Sequence, residues 1–197
     1  MIYQVLLGYL ASGVALVSYV PYLRDIFVGT TKPHAFSWLV WASLSGIAFG
    51  IQLQGGAGAG AWVTGLTAAA CLSIFFLSLG RGHKEIAVFD ILSLIGALIS
   101  FLLWVIIDQP LLSIILVLLI YFFGYLPIFR KTYYKPHEET VATYALSGLK
   151  YLIGLLALET FSLLTFLFPL TVLLMDAAFV SMALIRRRQH KNTLSTS

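Results

Sequence analysis

Lys150 and Asp176 each interrupt an apolar stretch long enough to cross a membrane, at 140–158 and 160–185. A charge at mid-bilayer costs about 2.5–3.5 kcal/mol on insertion scales, so both side chains are read first as functional groups. Lys150 suits an anionic group of a solute. Asp176 suits a cation, or a proton taken up as its surroundings alternate between wet and dry. Counted from a hairpin at Glu159, with about 1.5 Å per helical residue, Lys150 lies ~14 Å and Asp176 ~25 Å from one face. That offset exceeds a direct contact, although the lysine stem spans part of it and a bend at Pro169 would shorten it. An ion pair and two separate charges both remain open readings.

Polar and aromatic residues recur on the faces that would surround these charges. Trp38, Trp41 and Ser45 share one helix face by their i, i+3, i+7 spacing. Trp38 reads equally as an interfacial belt residue, whereas Trp41 lies a turn deeper, where its indole N–H needs a partner. Tyr144, Ser147 and Lys150 occupy a matching face, Thr64, Thr67 and Ser73 add hydroxyls, and Tyr19 precedes Pro21 by half a turn. Ser45, Gly46, Ser147 and Gly148 also read as close-packing points between helices. The expected solute-lining set is Tyr19, Trp41, Ser45, Thr67, Tyr144, Ser147, Lys150 and Asp176.

Other chemistries lack their parts. No Cys/His or Asp/Glu cluster has metal-ligand spacing, and no glycine-rich phosphate loop follows a strand. A Ser/His/Asp or paired-Asp hydrolase lacks its partners. His34, His83, His137 and His190 all fall in polar loops, and the single cysteine, Cys71, falls in an apolar run and reads as a packing residue. The sequence therefore predicts no enzyme, no cofactor and no metal.

The elements that must position these residues follow from composition. The chain has 197 residues, 60% of them hydrophobic and 10% charged, and its mean hydropathy is +0.95. A soluble surface needs far more charge. At about 20 apolar residues per crossing, this length holds about seven helices. Residues 2–23 form the first span. Ala35 to Gly80 contains no Lys, Arg, Asp or Glu, and Gly55 to Gly60 divides it into two helices. Arg81 to Glu85 precedes a fourth helix ending at Ile107, Asp108-Gln109-Pro110 precedes a fifth ending at Phe129, and Glu159-Thr160 separates the sixth from the seventh.

With seven crossings, Arg24, Lys32, Arg81, Lys84, Arg130, Lys131, Lys135, Arg186, Arg187, Arg188 and Lys191 all fall on one face, and the other carries only Asp108 and Glu159. The positive-inside rule then predicts a cytoplasmic C-terminus and an external N-terminus. The net charge of +4 reflects this topology and contact with anionic membrane lipid. Basic residues scattered over four short loops argue against a nucleic-acid partner.

An internal repeat completes the pattern. Tyr19-Val20-Pro21-Tyr22-Leu23-Arg24 recurs in type as Tyr125-Leu126-Pro127-Ile128-Phe129-Arg130. Lys32-Pro33-His34 is echoed by Lys135-Pro136-His137, and Leu44-Ser45-Gly46 by Leu146-Ser147-Gly148. The copies cover helices 1–3 and 5–7, each beginning outside, so the halves run parallel and helix 4 inverts the chain between them. The expected organisation is an all-α membrane protein with a first triple-helix bundle at 1–80, a linker helix at 81–108, a second bundle at 109–189 and a cytoplasmic tail at 190–197. Pro21 and Pro127, which free the carbonyls of Val17 and Phe123, read as paired hinges or as static kinks.

This 3+1+3 plan, with a proline near the cytoplasmic third of helices 1 and 5 and a short basic loop after each, resembles the PQ-loop superfamily, which includes the SWEET (MtN3-like) transporters. The resemblance covers nearly the whole chain. Tyr22 and Ile128 stand where the Pro-Gln pair would have its glutamine, and the asparagines that face sugar in SWEET helices 3 and 7 have no counterpart, Asn192 being the only asparagine. The resemblance implies an alternating-access carrier or facilitator of a small polar solute, such as a sugar, amino acid or vitamin. The other reading is a non-transporting cargo or sensor receptor of the KDEL-receptor kind. The sequence leaves the oligomeric state open, a homo-oligomer included.

Overall fold

The computed structural model describes residues 2–29, 33–81, 88–134, 136–137 and 141–195. Among them are seven α-helices: α1 (Ile2–Val28), α2 (Ala35–Gln54), α3 (Trp62–Arg81), α4 (Val88–Val105), α5 (Pro110–Tyr134), α6 (Val141–Leu156) and α7 (Leu163–Ser195). A single 3-10 turn, Gly58–Ala61, leads into α3. Six of the helices are long and apolar enough to cross a membrane; α6 is a shorter apolar helix. Large apolar side chains such as Phe76, Leu92, Ile95, Leu98, Phe122 and Phe123 are exposed around the outside, the surface that lipid tails cover. The chain is an all-α membrane protein.

The helix ends correct several expected boundaries. α1 continues past Arg24 and stops only where Gly29 takes φ 83°, a left-handed terminator that glycine adopts without strain. Hydropathy marks where a helix leaves an apolar medium, not where its hydrogen bonds end. For the same reason α5 runs five residues past Phe129. α7 continues through the expected tail to Ser195, because residues 170–195 contain neither proline nor glycine. α4 and α6 are shorter than expected, ending at Val105 and Leu156. α2 begins at His34, whose Nδ1 accepts the Ser37 N–H at 3.3 Å and lies 2.9 Å from Ser37 Oγ. His34 is thus a helix cap, not a solvated loop residue, and its Nε2 lies 3.9 Å from Asp90 of α4.

α3 packs against both α1 and α2, and α7 against both α5 and α6. α1 packs across on α6, and α2 on α5. α4 lies against α5 and α2, with Ser113 Oγ donating to the Ser100 carbonyl at 2.7 Å. The central core is built from Leu44, Ile51, Ile114, Val117, Phe168 and Val172, all fully buried.

Hydrogen bonds between distant parts of the chain sort the helix termini into two ends. At one, Gln52 Nε2 donates to the Thr165 carbonyl at 2.9 Å, Trp104 Nε1 to Gln54 Oε1 at 2.6 Å, and the Glu159 N–H to the Ala57 carbonyl at 3.1 Å. At the other, Trp38 Nε1 donates to Tyr22 Oη at 3.2 Å, and Arg186 and Arg187 donate to the carbonyls of Tyr133 and Pro136 at 3.0 and 2.8 Å. The first is called the glycine end below, since Gly55 to Gly60 lie there, and the second the arginine end.

Candidate functional site

A cavity of about 400 Å³ lies between the helices. α1 contributes Ser18, Tyr19 and Tyr22; α2 contributes Ser37, Trp38, Trp41 and Ser45; α3 contributes Thr67 and Cys71. From the second half of the chain come Tyr121, Tyr125 and Ile128 of α5, Thr143, Tyr144, Ser147, Lys150 and Tyr151 of α6, and Asp176 of α7. All eight residues of the expected solute-lining set border this one space. Their helical spacing is the cause: Trp38, Trp41 and Ser45 at i, i+3 and i+7 of α2, and Tyr144, Ser147 and Lys150 at i, i+3 and i+6 of α6, turn toward one side of each helix, and the contact of α1 with α6 brings Tyr19 to Lys150.

Lys150 is 2% exposed. Its Nζ donates to Thr67 Oγ1 at 3.1 Å and to Tyr19 Oη at 3.4 Å, and it lies 4.7 Å from the centre of the Tyr19 ring and 5.3 Å from that of Tyr151. Thr67 spends its own hydrogen on the Val63 carbonyl at 2.8 Å, which turns an oxygen lone pair toward the ammonium. Two hydroxyl oxygens and two aromatic faces disperse the charge. Among the described residues no anion pairs with it.

Asp176 is 1% exposed. Oδ1 accepts from Tyr125 Oη at 2.6 Å, and Tyr125 Oη in turn accepts from Tyr121 Oη at 3.4 Å. Oδ2 is buried and accepts no hydrogen bond of good geometry, although the Ser147 side chain stands beside the carboxylate. Among the described residues no ion pair joins Asp176 to Lys150, so of the two open readings the structure takes separate charges. An unpartnered buried carboxylate oxygen is costly, and the residue that carries it borders the cavity.

Aromatic rings line the same cavity. Trp41 meets Tyr121 edge-on at 4.7 Å and Tyr125 at 6.1 Å, and Tyr144 lies 6.3 Å from Tyr125. Sequence reasoning missed Tyr121 and Tyr151 as lining residues. Tyr151 was legible as the i+7 partner of Tyr144, and Tyr125 as the repeat equivalent of Tyr19. Trp38 is not a belt residue alone, because it borders the cavity and bonds Tyr22. Cys71 likewise borders the cavity.

Other expectations need correction. Ser73 Oγ donates to the Ala69 carbonyl of its own helix and is exposed on the far side, and Thr64 is buried in the core, away from the cavity. Gly148 is a packing point, where a Cβ would meet Asp176 Cβ at 3.4 Å, but a Cβ at Gly46 would meet nothing within 4 Å. Pro21 lies inside α1 and is exposed, outside the cavity lining. The Pro127 side chain lies outside the described residues, while the α5 backbone is helical through that position.

The cavity is asymmetric along the helices. Ser37 and Thr143, each two residues from the start of its helix, mark its limit toward the arginine end. Lys150 and Tyr151 lie about 11 Å deeper along α6 at 1.5 Å per residue. Beyond them the glycine end is closed. Ala57, Ala61 and Leu158 form a buried cluster with Phe49, Leu155 and Phe166, and a Cβ at Gly60 would lie 2.8 Å from the Gly154 carbonyl oxygen. Comparison of the chain with protein-family models, curated proteins and solved structures gives no match.

Proposed function

We propose that the chain is an alternating-access carrier or facilitator of a small polar solute, with two parallel triple-helix bundles joined by α4 in the manner of the PQ-loop superfamily. The observation that carries this reading is the buried cavity: it holds both intramembrane charges, reaches one end of the helices and is sealed at the other. A cavity closed at one end by backbone-level packing is what one half-cycle of such a carrier requires. The matching contacts of α3 with α1 and α2, and of α7 with α5 and α6, support the repeat. The positive-inside rule supports a cytoplasmic arginine end and an external glycine end, so the state described here is inward-facing.

Counterflow of radiolabelled sugars, amino acids and vitamins in vesicles containing the purified protein tests the reading. Exchange of a bound solute supports it, and saturable binding without exchange makes the protein a receptor of the KDEL-receptor kind. Cys71 offers a second measurement, because it is the only cysteine and borders the cavity. Cys71 is 3% exposed, so a membrane-impermeant maleimide should label it slowly and from the arginine end, and a bound solute should slow that labelling further. Labelling only from the glycine end would reverse the assigned state.

The proline in α1 makes a further prediction. Pro21 removes one backbone hydrogen bond and exposes its ring away from the cavity. Pro21→Ala should slow counterflow by about an order of magnitude while equilibrium binding stays within about twofold. Counterflow at the wild-type rate would leave Pro21 a static kink.

A further inference from the structure

The two charges in the cavity differ in what they lack. Among the described residues Lys150 meets neutral oxygens and rings and no anion, and Asp176 Oδ2 is a buried acceptor that receives no hydrogen bond of good geometry. They are not paired with each other, yet both border one space of about 400 Å³. A neutral polyol would meet Asp176 with its hydroxyls but would leave the Lys150 charge uncompensated. A simple anion or a simple cation would satisfy one charge and leave the other buried and alone, which is the costly arrangement. A solute carrying both signs satisfies both.

We propose that the solute is a small zwitterion, its cationic nitrogen held at Asp176 Oδ2 and its anionic group at Lys150; this deepens the carrier reading and rests on it. The surroundings of each charge fit its assigned partner. Near Asp176, the rings of Tyr125, Trp41 and Tyr144 border the same cavity, and aromatic rings attract a desolvated ammonium or quaternary nitrogen. Beside Lys150, the hydroxyls of Tyr19 and Thr67 are already turned toward the ammonium and leave its remaining N–H for the solute. The aromatic rings that line the cavity accept the body of the molecule. The separation of charges also sets an order of selectivity: removing either charge from the ligand leaves one buried protein charge unpaired.

The test uses the full-length wild-type protein in lipid nanodiscs, with protection of Cys71 from N-ethylmaleimide as the readout. The probes are the twenty protein amino acids and glycine betaine, the amine and the acid obtained by removing one charge from each, and neutral hexoses. At least one zwitterion should slow Cys71 modification about tenfold at a concentration where its amine, its acid and the hexoses slow it less than twofold. In the same assay Asp176→Asn should bring the zwitterion and its acid to within about twofold of each other, and Lys150→Met should do so for the zwitterion and its amine. The wild-type comparison decides the matter even where a variant does not fold. Equal protection by a hexose or by a charge-stripped analogue overturns the proposal, as does protection by no zwitterion. Vesicle counterflow separates the two readings: a hexose that binds and exchanges removes the zwitterion and keeps the carrier, whereas a zwitterion that binds and never exchanges does the reverse.

Discussion

Oxidation of a cysteine pair placed at Ala57 and Glu159, with Cys71 replaced by serine, should reduce counterflow to below about 5% of that of the same protein reduced. The Glu159 N–H donates to the Ala57 carbonyl at 3.1 Å, and this bond joins the loop between α2 and α3 to the loop between α6 and α7. A direct backbone hydrogen bond sets the two residues side by side, and a disulfide needs Cα atoms about 4.4–6.8 Å apart. If the glycine end must part for the solute to leave on that side, a covalent link across it stops the cycle. Neither residue borders the cavity, so equilibrium binding from the arginine end should stay within about twofold of the reduced value. Recovery of counterflow on adding dithiothreitol, with the cross-link followed by a mobility shift, completes the measurement. Unchanged counterflow in fully cross-linked protein would mean that this end does not open.

The same end sets the second expectation, which concerns stability. A Cβ at Gly60 would lie 2.8 Å from both the Gly154 carbonyl oxygen and Leu158 Cα, and 2.6 Å from Leu158 Cδ2. Two of those atoms are backbone, so no rotamer change relieves the clash and the loops must separate. At Gly154 the nearest atom is Val63 Cγ1 at 2.7 Å, a side chain that can turn. At Gly46 no atom lies within 4 Å. Gly60→Ala should therefore cost about 3 kcal/mol, the upper part of the overpacking range, and Gly154→Ala about 1–2 kcal/mol. Gly46→Ala, in a helix interior, should be neutral or stabilising by up to about 1 kcal/mol. In melting temperature, Gly60→Ala should fall about 6–12 °C below wild type. Equal melting of the Gly60 and Gly46 variants would contradict the tight seal.

Gly60 also illustrates what could be read without coordinates. The run Gly55 to Gly60 announces a turn, because glycines punctuate helices and Gly56 and Gly58 take φ 76° and 57° here. That the same glycines form a seal against Leu158 and Gly154, about a hundred residues further along, is not legible, since a small side chain looks the same in a turn and in a close contact. Trp41, Ser45, Tyr144, Ser147 and Lys150 were legible as two helix faces because α-helical periodicity is a local property. Tyr151, seven residues after Tyr144, belongs to the same face and was legible on the same ground, but the charge of its neighbour Lys150 drew the reading to that position instead.

By itself the sequence determined that the chain is helical and apolar, where most of its helices break, and which residues share a face. Hydrogen bonding within a helix and the cost of burying charge act over a few residues and leave their trace in spacing. Tertiary structure alone decided that Lys150 bonds Tyr19 and Thr67 rather than Asp176, and that Asp176 takes one hydroxyl from Tyr125 and keeps an oxygen free. Those choices depend on the rotation, tilt and stagger of α1, α3, α5, α6 and α7 against one another. Packing of side chains from distant parts of the chain sets these quantities, and a depth counted along one helix carries no information about the distance across to the next.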